Sequence, residues 1–314
     1  MTIQAFIRYP GSTPQRYSGS TQAQDGVRFS LSNFEGNEVH EFKGSCEEID
    51  PNSAHLSWPE PKGNAPATTN KEDYLQAINT LIPQLGKGQK TVLSSYFSYS
   101  GQFISQNCFL HLLEKYPNAL VYLFEFQNEI WLGATPEKLL TSVGKDEYQT
   151  TSLAGTKWDS ATAWTDKEFE EQQIVTDFIT QRLQQSKVSD IHIGERETIK
   201  AGHLEHLSTK INFTANEKQR VEALKALHPT PAVSGFPVEK ALNEIKQLEK
   251  HNRQWYAGYL GLSDQLFVNL RCGKLFEDGI QLFAGGGVTS LSDPLKEWEE
   301  IQQKSKTVLS AITH

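Results

Sequence analysis

The clearest regularity in the 314-residue chain is a period of two near its end. WYAGYLGLS, QLFVNLRCGKLF and IQLFAGGGV, within residues 255–288, alternate apolar and polar positions and are separated by SDQ- and EDG-type turns. That pattern predicts three strands in an antiparallel meander. Similar alternation predicts a strand over KTVLSSYFSYS, a hairpin of ALVYLFEF and IWLGA around a polar QNE turn, and a strand over YQTTSLAGT. A helical period instead marks residues 72–88, which end in glycine, and residues 165–185, 217–227 and 237–249. Asp293 as N-cap and Pro294 at the first helical position open a final helix. Residues 44–72, rich in Pro, Gly, Ser, Thr and Asn, read as a long exposed connection. Strand and helix runs alternate without a βαβ beat. The prediction is an α+β fold with large antiparallel β-sheets flanked by helices.

Two of the helices carry acids on the wrong side. In TDKEFEEQQIVTDFITQRL the core face is marked by Ile174, Val175, Phe178 and Ile179. At 100° per residue Glu168 and Glu171 fall on that face, while Glu170, Gln173 and Asp177 point outward. In the last helix Trp298, Ile301, Val308 and Ile312 form the stripe, and Glu297, Glu300 and Lys304 line its edge. A buried carboxylate needs a partner. N-terminal capping and an i,i+4 Glu300–Lys304 pair would supply ordinary ones. Inward acids on two helices also suit a hard cation such as Mg²⁺, which takes oxygen ligands and few protein carboxylates.

Composition narrows the rest. With 37% hydrophobic and 22% charged residues the chain is built to fold, not to stay disordered. Thirty Lys and Arg against thirty-eight Asp and Glu give a net charge of -8, a poor balance for gripping a phosphate backbone, so no nucleic-acid partner is expected. Cys46, Cys108 and Cys272 are scattered and show no CxxC or Cys/His ligand spacing. There is no secretory-type leader and no apolar run long enough to cross a bilayer, which together predict a reduced, cytoplasmic protein with no membrane association. Neither GxGxxG nor a P-loop occurs.

Ten words of the sequence then line up. KTVLS (90–94), GATPEKLL (133–140), SLAGT (152–156), KEFEEQQIV (167–175) and HLST (206–209) are followed by LHPTPAVSGFP (227–237), WYAGYLG (255–261), LRCGKL (270–275), LFAGGGV (282–288) and DPLKEWEE (293–300). In this order they resemble the chorismate-utilising enzymes, the family of isochorismate, salicylate, anthranilate and aminodeoxychorismate synthases. The resemblance covers residues 85–310. It implies one chorismate-binding domain over 1–314, with residues 1–72 a shortened amino-terminal portion that matches no word. It also implies the shared fold of those synthases, a Mg²⁺ cofactor, chorismate as substrate, no obligatory protein partner and a monomer.

Carried over position by position, the resemblance implies that Lys90 activates water and that Glu137 is the general acid at the departing C4 hydroxyl. Glu171 and Glu300 match metal-binding carboxylates, supported by Glu168 and Glu297. Tyr256 and Arg271 match residues gripping the enolpyruvyl carboxylate, where a guanidinium fork suits a planar acid. Gly285 and Gly287 match positions that let backbone N–H groups approach it. Gly155, Thr156, His206, Ala232 and Lys304 match further pocket positions.

Within the family, a lysine at position 90 points to hydroxyl chemistry, because ammonia-using members generally lack it. Ala154 stands where aminodeoxychorismate synthases tend to carry lysine, and Ala232 where salicylate synthases often carry threonine. The resemblance therefore implies isochorismate formation, of the menaquinone or siderophore type, with salicylate formation, amination to anthranilate or aminodeoxychorismate, and chorismate binding without turnover as the alternatives. The chain departs from many relatives at Ser95, where they carry arginine, and at KWDS after SLAGT, where they are arginine-rich.

Overall fold

The computed structural model describes residues 1–157, 163–201 and 204–313, with the side chains of residues 156, 167, 201 and 204 excepted. Two hairpin-forming pairs open the chain: β1 (Thr2–Arg8) with β2 (Gln15–Ser20), and β3 (Val27–Ser32) with β4 (Val39–Glu48). After a long coil, α1 (Lys71–Leu81) starts where the Asn70 side chain accepts from Glu72 N–H, and buries Tyr74, Ala77, Ile78 and Leu81. β5 (Lys90–Ser100), α2 (Ser105–Lys115), β6 (Leu120–Phe126) and β7 (Glu129–Thr135) follow, then β8 (Lys138–Gly144) and β9 (Glu147–Lys157). α3 (Asp166–Gln185) leads into the β10 (Ser189–Ala201) and β11 (Leu204–Thr214) ribbon and then α4 (Glu217–Leu227). The chain ends with β12 (Gly235–Phe236), α5 (Val238–Leu248), β13 (Tyr259–Leu262), β14 (Gln265–Val268), β15 (Cys272–Phe276), β16 (Gly279–Val288) and α6 (Pro294–Ile312).

Among the described residues every strand pair is antiparallel, and the order is β10-β11-β9-β8-β14-β13-β3-β4-β2-β1-β6-β7-β15-β16-β5-β12. The α+β expectation holds. β6 shows why its pattern is apolar from Leu120 to Phe124: Tyr122 and Phe124 face one core with Phe29 and Trp131, whereas Val121 and Leu123 face another with Phe109 of α2 and Val308 of α6. A strand covered on both faces has no polar side to show. The first core also joins Leu260 and Phe267 to Leu93 and Phe283, strands far apart in the order, so the sheet curls over its own apolar face.

Two expectations are corrected. Residues 44–48 are not connection but the end of β4, paired with β2. The terminal meander has four strands, not three, and is interrupted: QLFVNLRCGKLF is broken at 269–271 into β14 and β15. β14 pairs with β8, and β15 with β7. The break is fixed by Asn269, fully buried, whose side-chain amide donates to Trp255 O at 2.9 Å and whose Oδ1 accepts from Tyr122 Oη. A buried polar side chain with two such partners is a stronger constraint than strand propensity. No helix among the described residues is long and apolar enough to cross a membrane.

Candidate active site

A cavity of about 250 Å³ opens where β5, β16, the β7–β8 turn, β9, α3 and α6 meet. Of the residues singled out in the sequence, all but Thr156 line it; the Thr156 side chain and residues 158–160 of KWDS lie outside what is described.

Lys90 is the first residue of β5, and its Nζ donates to Glu171 Oε1 of α3 at 2.6 Å. Glu137 lies in the turn between β7 and β8. Its backbone is pinned to β14, with Val268 N–H donating to Glu137 O at 2.9 Å and Thr135 Oγ1 donating to Val268 O at 2.6 Å. The residue is 5% exposed, and among the described residues its carboxyl has no hydrogen-bond partner. Burial pushes its pKa from 4.5 up to about 7, with the Lys90 charge pulling the other way. At neutral pH this carboxyl holds a proton a substantial fraction of the time.

Gly155 is the extra residue of a β-bulge: His206 of β11 pairs with Thr156 and Leu207 with Ala154. Its φ of +72 suits glycine, and a Cβ would sit 3.2 Å from Glu168 Cβ. His206 Nδ1 lies 3.1 Å from Gly155 O. Burial, then the charges of Arg271 and Lys304, bring the His206 pKa down to about 4, so it is a neutral imidazole at physiological pH.

The acids keep their ordinary partners while facing the cavity. Glu168 closes the α3 capping box by accepting from Thr165 N–H at 2.9 Å. Glu297 accepts from Ser292 Oγ at 2.6 Å. Glu300 pairs with Lys304 at 2.7 Å, and Lys304 Nζ also donates to Gly285 O at 3.0 Å. Arg271 differs. It sits in the β14–β15 break in the left-handed region at φ +50, a conformation costing a non-glycine residue ~1 kcal/mol or more. Among the described residues its guanidinium has neither an ion pair nor a hydrogen bond. Burial lowers its pKa from the usual arginine range, and the neighbouring Tyr116, Tyr256 and Glu300 oppose that fall. A cation beside a cavity, with no hydrogen bond or ion pair among the described residues, favours an anionic ligand.

Gly285 and Gly287 lie inside β16, paired with Ser94 and Val92, and do not form a loop. A Cβ on Gly285 would stand 2.9 Å from Tyr256 Oη, and one on Gly287 would stand 2.9 Å from Lys90 Cδ. What these glycines give the site is room for the tyrosine and lysine side chains. Tyr256 is stacked on Phe283 with centroids 5.5 Å apart.

Among the described residues no group of three or more His, Cys, Asp or Glu is placed to hold a metal by itself. The donors present are nevertheless all oxygen, and the Glu171 and Glu300 side chains are 30% and 37% exposed. That set fits Mg²⁺, which binds through one or two carboxylates and fills its remaining positions with water and substrate oxygens. The sequence reading missed Glu249 and Arg253, which form a buried ion pair behind β5. Their i,i+4 spacing was the available signal.

The profile of a family described as chorismate binding enzymes matches residues 35–313. The isochorismate synthase MenF of Bacillus subtilis is 28% identical over 264 residues, covering 77% of this chain and 56% of that protein. The isochorismate synthase EntC of Escherichia coli K12 is 32% identical over 201 residues, covering 58% of this chain and 51% of that protein. The chain thus spans a little over half the length of these curated relatives. Among solved structures, MenF, the menaquinone-specific isochorismate synthase from Escherichia coli, superposes with a TM-score of 0.84 at 20% identity over 99% of this chain and 89% of that one. Anthranilate synthase component I from Streptococcus pneumoniae gives 0.75 at 19%, over 98% and 91%.

Proposed function

From the premise that the chain belongs to the chorismate binding enzyme family, we propose that it isomerises chorismate to isochorismate with Mg²⁺. The observation that carries this reading is the pairing of Lys90 with a buried, partly protonated Glu137 in one cavity. Both groups face the same space from different elements, as addition and elimination on one ring require.

Once its ammonium has given a proton to solvent, Lys90 takes a proton from a water molecule as that water's oxygen bonds to C2. The ring double bonds shift, and the C4 hydroxyl leaves as water with the proton of Glu137. One water enters and one departs, so the net change is an isomerisation, and solvent returns Lys90 and Glu137 to their starting states. The contact with Glu171 orients the lysine nitrogen. Arg271 and Tyr256 take the enolpyruvyl carboxylate, a role favoured by a guanidinium that has no ion pair or hydrogen bond among the described residues. Neutral His206 lends shape and a hydrogen-bonding group without adding charge.

Glu171 and Glu300 would hold Mg²⁺, with Glu168 and Glu297 in support. The ion supplies charge neutralisation for the ring carboxylate. The choice of isochorismate over salicylate rests on Ala232 in the cavity wall and on the names of the similar synthases. Incubation with chorismate and Mg²⁺, followed by chromatography, tests the reading. Isochorismate without pyruvate is expected. Pyruvate accompanied by salicylate, or by anthranilate when ammonia is supplied, replaces it with another chorismate reaction. An absence of conversion rejects catalysis.

A further inference from the structure

Behind the cavity, on the edge of β5 that β12 leaves uncovered, two buried side chains take the place of a strand. β12 pairs only with Lys90 and Thr91, so the polar backbone groups beyond them need other partners. Val92 O accepts from Arg253 Nη2 at 2.6 Å, and Ser94 N–H donates to Glu249 Oε1 at 2.6 Å. The two side chains bond each other twice, Nε to Oε2 at 2.9 Å and Nη2 to Oε1 at 2.6 Å. Arg253 Nη1 donates to Val233 O at 3.0 Å, and the guanidinium lies 4.0 Å over the Phe34 ring. Arg253 O accepts from Tyr256 N–H at 2.9 Å.

The guanidinium therefore ties two segments that each carry a cavity wall, and the Arg253 backbone carbonyl anchors a third. They are β5 with Lys90, residues 230–235 with Ala232, and the turn that presents Tyr256. We propose that Arg253, oriented by Glu249, is a positioning residue that sets the placement of Lys90 relative to bound substrate. The proposal rests on the reaction read above. Its physical basis is the fork: four N–H bonds leave a rigid plane toward three different acceptor groups, which one ammonium on a flexible stem does not reproduce. A buried ion pair adds little net stability over an apolar substitute, so the pair's main contribution is geometric.

The test compares wild type, Arg253→Lys and Glu249→Gln in the full chain. Near-UV circular dichroism and thermal midpoints report folding. Steady-state kinetics with chorismate and hydrogen exchange of residues 90–94 and 230–236 report the clamp. Because an ångström of misplacement can cost ~100-fold in rate, Arg253→Lys is expected to lower kcat at least about tenfold while KM stays within about twofold. Exchange in both segments is expected to rise about tenfold or more. Glu249→Gln shifts both readouts in the same direction, and carries the same criteria if Arg253→Lys does not fold. A folded variant with wild-type kcat overturns the proposal, as does unchanged exchange. Failure of the wild type to convert chorismate overturns the reaction instead, and the exchange measurement then still decides the clamp.

Discussion

Glu137→Gln separates the acid's chemistry from its burden on the fold. Burial holds the Glu137 pKa at about 7, against 4.5 for a free carboxyl. At 1.36 kcal/mol per unit, ionising this group in the folded protein costs ~3 kcal/mol. The sign follows from the direction of the shift. A carboxyl with a raised folded pKa contributes stability that is complete below 4.5 and is lost as pH rises through about 7. Glutamine is neutral throughout and escapes that loss. Relative to wild type, Glu137→Gln should gain about 1 kcal/mol at pH 5 and ~3 kcal/mol at pH 8, measured from the pH 4 difference. His206 and His228, both brought down to about 4 by burial, are neutral in both proteins over pH 5–8 and cancel. The assay is urea unfolding of both proteins from pH 4 to 8, with turnover measured alongside. The stability difference should move in the variant's favour by ~3 kcal/mol between pH 4 and 8, and the variant should lose conversion by ~100-fold or more, the range for removing a general acid. A stability difference that stays constant from pH 5 to 8 would show that the carboxyl is not held protonated, and would refute the reasoning.

Lys90→Ala should lower turnover by ~100-fold or more while chorismate, titrated calorimetrically, binds within a few-fold of wild type. Near-normal turnover would remove Lys90 from the acid–base pair. Glu300→Ala should raise the half-saturating Mg²⁺ concentration by about tenfold or more, the scale seen when metal-site groups are lost. An unchanged Mg²⁺ titration would take Glu300 out of the site. Gly285→Ala puts a Cβ 2.9 Å from Tyr256 Oη and 3.3 Å from Leu93 O. KM for chorismate should rise about tenfold, the effect of roughly 1.4 kcal/mol of lost contact. Adding Tyr256→Phe should not worsen it further, because the clashing hydroxyl is then gone; additive losses would show that the tyrosine is not the neighbour that matters.

The parts of the fold visible in the sequence were those with a strong local period. KTVLSSYFSYS is β5 residue for residue, and the 217–227 helix is α4. β1 to β4 were not placed: β2 and β4 bury only Tyr17 and Phe42, so their alternation is weak, and β1 and β3 take their outer partners, β6 and β13, from far along the chain. The β10 and β11 ribbon stands at the end of the strand order, and much of β10 is exposed, so its alternation is weak. In the site, Glu168, Glu171, Glu297 and Glu300 were legible because a helix converts spacing into direction. Arg253 and Glu249 were not, since the same spacing on an exposed helix end is an ordinary surface pair. Their burial is decided by Phe34 and β5, which the helix itself does not contain.

The interrupted meander has a consequence for the order in which the sheet closes. β13 and β14 fill one seam, between β3 and β8, while β15 and β16 fill a second, between β7 and β5. Until residues 259–288 leave the ribosome, β3, β8, β7 and β5 each present an unpaired edge, the surface most prone to join another chain. The Asn269–Arg271 link crosses from one seam to the other, so both are sealed by the same late stretch. The cavity gains Arg271 and Gly285 in that step, and α6 then brings Glu297, Glu300 and Lys304. Synthesis thus adds the anion-binding wall, and after it the carboxylates of α6, onto a lysine and a glutamate already in the chain.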